Sequence, residues 1–282
     1  MPVLTDEHKQ FFLDNGFLVI ENFLDEVQTN RLQAEAARII DRFDSSSHRT
    51  VFTTRDQKTD ERFMRSASDV TCFFEDGVFD KDGNLTVDKA LAVNKIGHAL
   101  HEAPGPFKEF AENESVKGIL RDIGYESPIP VQSMYIMKSA KVGGVVSKHQ
   151  DASFLGTAPR DTVIGFWVAL DDATLDNGCL WAAPGSHLAR KTYKRFVRGE
   201  GGGCALVGDE MPTSETSATP LEVRRGTLVL LDGQLIHWSN ENRSGRSRHA
   251  FSLHVVEGGG DVTWRSSNWL QRTPHLPFHP LY

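Results

Sequence analysis

The sequence predicts a mainly β fold with a helical flank, built on a double-stranded β-helix of the jelly-roll or cupin type. Three observations lead there. Helical signals are confined to roughly the first 125 residues. From Val131 onward, short strand-like runs rich in β-branched and aromatic residues alternate with turn signals, the pattern of a two-sheet barrel. The last run, ending in Phe251-Ser252-Leu253-His254-Val255-Val256, is two-sided. Phe251, Leu253 and Val255 share an apolar face, while Arg246, Arg248, Ala250 and Ser252 share the opposite one, as a wall lining a hydrophilic site requires. One unit over residues 1–282 is expected, with the flank at about 1–125 and the β-helix core at about 126–260.

The elements follow in order. Thr5 can cap a helix that stops at Gly16. Asp25 with Gln28 resembles a capping box opening a helix to about Phe43. Residues 44–70 are polar and charged and predict a loop or flap. Phe73-Phe74 and Val78-Phe79 flank a turn-like segment from Asp80 to Asn84. Ser115 to Gly124 predicts a short helix ended by glycine. Tyr135-Ile136-Met137 and Phe166-Trp167-Val168-Ala169-Leu170 read as strands, as does Thr227 to Leu231 continuing to Leu235-Ile236-His237.

Between those strands lies His149-Gln150-Asp151. In an extended backbone, positions 149 and 151 project to the same side. With His237 they supply two imidazoles and one carboxylate, the minimal set that holds Fe(II) on one face and leaves positions open for a co-substrate and oxygen. A turn-rich segment, Asn240 to Gly245, precedes Arg246. If the flanking strands form an antiparallel hairpin, Arg246 folds back beside His237. There it could hold the distal carboxylate of a small dicarboxylic acid through two parallel hydrogen bonds.

The surroundings of these residues resemble the phytanoyl-CoA dioxygenase family. The resemblance rests on His149-Gln150-Asp151, on Asp176-Asn177-Gly178-Cys179-Leu180 followed by Pro184-Gly185-Ser186-His187, and on His237-Trp238-Ser239-Asn240 leading to Arg246. The opening, Phe12-Leu13-Asp14-Asn15-Gly16-Phe17-Leu18-Val19-Ile20, fits as well. Further stretches at 94–101, 131–136 and 268–270 extend it along nearly the whole chain. The resemblance implies an Fe(II)- and 2-oxoglutarate-dependent oxygenase that uses O2, with His149, Asp151 and His237 as iron ligands and Arg246 on the 2-oxoglutarate C5 carboxylate. It also implies Lys95, Met134, Trp167 and Ser239 as neighbours of the co-substrate. Halogenases related to the family leave the carboxylate position empty for halide, so Asp151 implies hydroxylation. Residues 189–220 match least.

Other readings weigh against these. His98, His101, His249 and His254 are expected to be structural or surface histidines, and His187 lies near the site only by the resemblance. Gly199 to Gly203 lacks the Lys-Ser or Lys-Thr of a phosphate loop and predicts a plain loop. Arg190, Lys191, Lys194, Arg195 and Arg198 form a basic cluster that could greet a carboxylate or an acyl-CoA phosphate, although a solvated surface is the expected reading. A hydrolase using Cys179 or Ser186 lacks a Gly-x-Ser-x-Gly elbow. A non-catalytic cupin-like metal-binding module would be suggested by an eroded triad, and all three ligands are present.

A net charge of −7 argues against a nucleic-acid or anionic-membrane partner. No apolar run approaches a membrane span, and the first residues lack a signal-peptide pattern. Three widely spaced cysteines read as free thiols, and a cytoplasmic location is expected. A small-molecule substrate is the expected partner.

Overall fold

The computed structural model describes residues 2–45, 49–51, 61–199, 203–212 and 218–282. The flank holds α1 (Asp6–Asn15), β1 (Phe17–Ile20), α2 (Glu26–Arg42), α3 (Glu61–Arg65), β2 (Val70–Phe74), α4 (Lys89–Ala92), β3 (Val93–His98), α5 (Pro106–Ala111) and α6 (Glu114–Asp122). The caps act as the sequence suggests. Thr5 Oγ1 accepts from His8 N at 3.1 Å, and Gly16 closes α1 with φ +80°, a conformation that costs glycine no Cβ strain. Asp25 and Gln28 form the reciprocal capping box of α2.

Twelve strands follow: β4 (Pro128–Lys138), β5 (Val146–His149), β6 (Thr157–Ala158), β7 (Ile164–Ala169), β8 (Leu180–Ala182), β9 (Lys194–Arg198), β10 (Cys204–Gly208), β11 (Thr219–Leu221), β12 (Leu228–Asp232), β13 (His237–Ser239), β14 (Arg248–Glu257) and β15 (Thr263–Trp264). They build a seven-stranded sheet, β1-β12-β7-β14-β4-β3-β2, facing a four-stranded sheet, β11-β8-β13-β5. The fold is the expected double-stranded β-helix. The flank is less purely helical than expected, because β1, β2 and β3 complete the larger sheet. β1 donates Phe17 and Leu18 to the core, so burial of that edge favours strand in a four-residue run too short to show its period.

The two faces of the large sheet divide the labour. On the outer face Phe166 and Val168 of β7, Leu228 and Leu230 of β12, and Phe251, Leu253 and Val255 of β14 pack beneath Leu32 and Ala36 of α2, Phe107 of α5 and Ile119 of α6. On the inner face Trp167, Ala169, Val229, Leu231 and Ala250 meet Leu180, Ala182 and Leu221 of the small sheet. Every second residue therefore leaves one core for the other, as the period of two demands.

Three expectations about connections are corrected. The run from Thr227 to His237 is not one strand. It breaks after Asp232, where Gly233 passes so close to Val163 that a Cβ would lie 2.5 Å from the Val163 carbonyl oxygen, and the chain crosses to the other sheet. β13 and β14 form no hairpin, since β13 pairs with β5 and β8 while β14 pairs with β4 and β7. The predicted flap at 44–70 contains α3 and a 3-10 turn, Ser66–Ser68; its residues 46–48 and 52–60 lie outside the described ones. So do residues 200–202 of the glycine run and 213–217 of the Ser/Thr-rich stretch. Within 189–220, β9 and β10 pair as a hairpin.

Candidate active site

Small-sheet strands bring the two histidines together. His149, the last residue of β5, is the direct register partner of His237, the first of β13, and their ring centroids are 4.2 Å apart. Asp151 is not on the strand; it opens a 3-10 turn, Asp151–Ser153, after an extended Gln150. The predicted convergence survives because Gln150 keeps β geometry and points away from the site. That side chain is fully buried, donating to the carbonyls of Lys191 and Gln234 and accepting from Tyr193 N. It locks the turn from behind.

The three donor sets suit a metal. Nδ1 of His149 donates to Ser147 O at 2.8 Å and Nδ1 of His237 to Leu235 O at 3.0 Å. Both rings therefore hold their proton on Nδ1 and present the Nε2 lone pair inward. Each Nε2 lies 3.7 Å from Asp151 Oδ1, and one donor atom from each residue lies within 4.8 Å of the others. Bonds of about 2.1 Å to one ion put neighbouring donors roughly 3–4 Å apart, so the residues present fit a first-row metal. Burial holds the His149 imidazole down at about 4, with His237 adding to the effect, so it is neutral near neutral pH. Burial opposes ionisation of Asp151, but the facing His254, His237 and His149 outweigh it and keep the carboxyl well below its usual range.

A cavity of about 380 Å³ opens beside the triad. Its inner-sheet wall is laid out by register. Lys138 faces Arg248; Ile136, Ala250 and Ala169 form the next row; Met134, Ser252 and Trp167 the next; and Gln132, His254 and Gly165 the last, against Asp151. Lys95, in register with Ile136 on β3, is buried with its ammonium 5.5 Å from the Phe63 ring centroid and 5.3 Å from that of Phe73. Burial drives its pKa well below that of a free lysine. Phe63, Phe154, Phe196 and Trp269 form an aromatic wall. Of the residues expected around the co-substrate, Lys95, Met134, Trp167 and Ser239 all line this cavity.

Arg246 does not. Its side chain is exposed, and it stands in the link between the two sheets, where Asn242 Nδ2 binds its carbonyl at 2.7 Å. The expected hairpin placed it wrongly because the chain changes sheet after Ser239. Arg248 takes the place instead, 1% exposed at the start of β14. Its Cζ lies 5.4 Å over the Trp167 ring and its Nη2 donates to Gly178 O at 3.0 Å. Nε and Nη1 are buried with no protein partner among the described residues. A guanidinium left with free buried donors is a costly arrangement unless an anion completes it.

His98 and His254, expected to be structural, also line the cavity. The alternation that put Arg248, Ala250 and Ser252 on the inner face puts His254 there too, so that signal was present; for His98 no pattern pointed inward. His187 stays structural, bonded through Nε2 to Leu13 O at 3.0 Å. The basic cluster is occupied: Arg190, Lys191, Lys194 and Arg195 meet Asp232, Asp209, Glu210 and Asp161, and Arg198 binds Trp269 O. The hydrolase candidates fall away, because burial lifts the Cys179 thiol to about 11 and Ser186 Oγ accepts from Ile236 N.

Comparison with known proteins agrees with this fold. The profile of the phytanoyl-CoA dioxygenase (PhyH) family matches residues 12–250. Phytanoyl-CoA dioxygenase domain-containing protein 1 of Bos taurus is 41% identical over 292 residues, covering 100% of both chains. The phytanoyl-CoA dioxygenase of Arabidopsis thaliana is 41% identical over 283 residues, covering 99% of this chain and 97% of its own. Among solved structures, the epimerase SnoN in complex with Fe3+, alpha ketoglutarate and nogalamycin RO superposes with a TM-score of 0.65 at 14% identity, covering 98% of each chain. EctD from S. alaskensis with 2-oxoglutarate and 5-hydroxyectoine gives 0.61 at 19%, covering 90% of this chain and 77% of its own. Those two likenesses concern the fold. The match along the whole length to named relatives concerns descent: this chain belongs to the phytanoyl-CoA dioxygenase family.

Proposed function

We propose that this chain is an Fe(II)- and 2-oxoglutarate-dependent dioxygenase that couples decarboxylation of 2-oxoglutarate to hydroxylation of an anionic small molecule, a carboxylate or an acyl-CoA, in the cytoplasm. The observation that carries the reading is the pairing of a preformed His149–Asp151–His237 donor set with a buried, under-bonded Arg248 at the other end of one cavity. A metal at one end and a carboxylate anchor at the other are what a short dicarboxylic co-substrate needs.

When bound, iron and 2-oxoglutarate would supply the oxidising chemistry, in which O2 is consumed, 2-oxoglutarate leaves as succinate and CO2, and a substrate C–H bond becomes C–OH. The protein's own part is placement. Arg248 offers its two free donors as a fork to the distal carboxylate, held flat by Trp167. Lys138, protonated below about pH 7, adds positive charge along the same wall, and the buried Lys95 amine offers a further donor. The aromatic wall of Phe63, Phe154, Phe196 and Trp269 excludes water and takes the apolar body of the substrate. Among the described residues lining the cavity Asp151 is the single acid, and the Arg248 guanidinium stands across from it, which supports an anionic substrate.

The reading is tested by succinate formation from 2-oxoglutarate without prime substrate. Slow turnover is expected, stopped by a chelator and restored by Fe(II) but not by Zn(II), which has no accessible redox change. Equal rescue by zinc would point to hydrolysis instead.

A further inference from the structure

We propose that His254 is a positioning residue for the metal centre: it holds the second oxygen of Asp151 so that the first faces the metal. The inference rests on the triad reading above and deepens it. The carboxylate is divided between two sets of neighbours. Oδ1 is the oxygen 3.7 Å from both ligand histidines, whereas Oδ2 points the other way, 3.3 Å from His254 Nε2. Both side chains are buried at the junction of the two sheets. Charge-assisted hydrogen bonds span about 2.7–2.9 Å, so at 3.3 Å the pair is a close approach that a small shift of the ring would turn into such a bond. No described group makes a hydrogen bond of good geometry to Oδ2, and His254 Nε2, 3.3 Å away, is the ring nitrogen placed to supply one.

Two features show that the space is kept for this contact. The first is Gly165, which pairs with His254 in the sheet. A Cβ at Gly165 would sit 3.0 Å from Asp151 Oδ2 and 3.5 Å from His254 Cδ2, wedging between the two. The second is the His254 tautomer. Its Nδ1 is buried without a partner among the described residues. An orphaned N–H costs more than an orphaned lone pair when a carboxylate waits at the other nitrogen, so the proton belongs on Nε2, facing Asp151. His254 is held in turn by Gln132 and Gly165 on the strands either side of β14. A carboxylate so held presents one oxygen to a metal; released, it can rotate to chelate through both or swing away.

Metal binding tests this without turnover. Mn(II) affinity and the Co(II) ligand-field absorption would be measured for the wild-type chain, His254→Phe, His254→Gln and Asp151→Ala, with folding checked by circular dichroism. His254→Phe keeps a ring but no donor, and should weaken Mn(II) about ten- to a hundredfold, the usual cost of losing a partner behind a ligand, and shift the cobalt bands. His254→Gln returns an N–H near the Nε2 position and should recover affinity to within a few-fold, which a merely space-filling role would not require. Wild-type affinity and spectrum in His254→Phe would overturn the proposal, as would a folded His254→Gln no better than His254→Phe. Should His254→Phe not fold, Gly165→Ala serves, with the same loss expected and wild-type metal binding overturning the idea. Asp151→Ala separates the two readings: if it binds Mn(II) as the wild type does, the triad itself is wrong and this inference falls with it.

Discussion

At the scale of single residues, Arg248 is where the proposed co-substrate site is tested. Arg248→Lys replaces a planar two-bond fork with a point charge. Losing one charge-assisted hydrogen bond there costs about 1.5–3 kcal/mol, or roughly ten- to a hundredfold in 2-oxoglutarate affinity. Arg246→Lys, at an exposed position, should change it by less than twofold. Calorimetric titration of both variants checks this, and the reverse ranking would defeat the assignment. Lys138 adds a pH dependence. It lies opposite Arg248 in register and donates to Gly144 O. Burial, with Arg248 adding, lowers its pKa to about 7 against the pull of Glu75 and Glu241. The protonated form favours a dicarboxylate. Below pH 7 that help is already present; above it, binding must draw in a proton, and affinity should fall by up to about tenfold per unit. Lys138→Met should flatten the profile, and a flat wild-type profile between pH 6.5 and 8 would rule out this role.

The link from β13 to β14 is the element on which Arg248 depends. Asn242 organises it, buried, donating to Lys138 O at 2.8 Å and Arg246 O at 2.7 Å and accepting from Ser244 N at 2.9 Å. One amide thus ties the start of β14 to the end of β4. Asn242→Ala removes the side-chain donor to the buried Lys138 carbonyl, while the Arg246 carbonyl keeps Ser244 Oγ, and should cost about 1–3 kcal/mol. The expected signature is a lower melting temperature together with weaker 2-oxoglutarate binding, while Mn(II) affinity stays near wild type because the triad hangs on β5 and β13. Equal losses of metal and 2-oxoglutarate would mean that the link supports the whole barrel instead.

Across the whole molecule the metal should act as a staple. His149, Asp151 and His237 come from two separated segments of chain, and an ion bound only by the folded state stabilises it by mass action, about 2.7 kcal/mol at a hundredfold excess over Kd. Mn(II) should raise the melting temperature by several degrees, and Asp151→Ala should abolish the shift. A shift that persists in Asp151→Ala would place the ion elsewhere. Among the described residues no helix is long and apolar enough to cross a membrane.

The sequence by itself determined what depends on local order. The caps at Thr5 and Asp25, the alternation along β14 and the donor types at 149, 151 and 237 are set by neighbours within a few residues, and each is found in the structure. The two-residue step from His149 to Asp151 held even though the strand ends between them, because one extended residue suffices to aim both inward. What only the tertiary structure decided is which sheet each strand joins. Nothing local distinguishes a hairpin from a crossing between sheets, since the turn residues from Asn240 to Gly245 suit both. The choice is made by distant partners, β5 and β8 for His237, β4 and β7 for Arg248. That choice puts Arg248, two residues beyond the expected Arg246, on the cavity wall as the proposed carboxylate anchor. It also brought His254 against Asp151, a contact across 103 positions of chain for which Gly165 leaves the room.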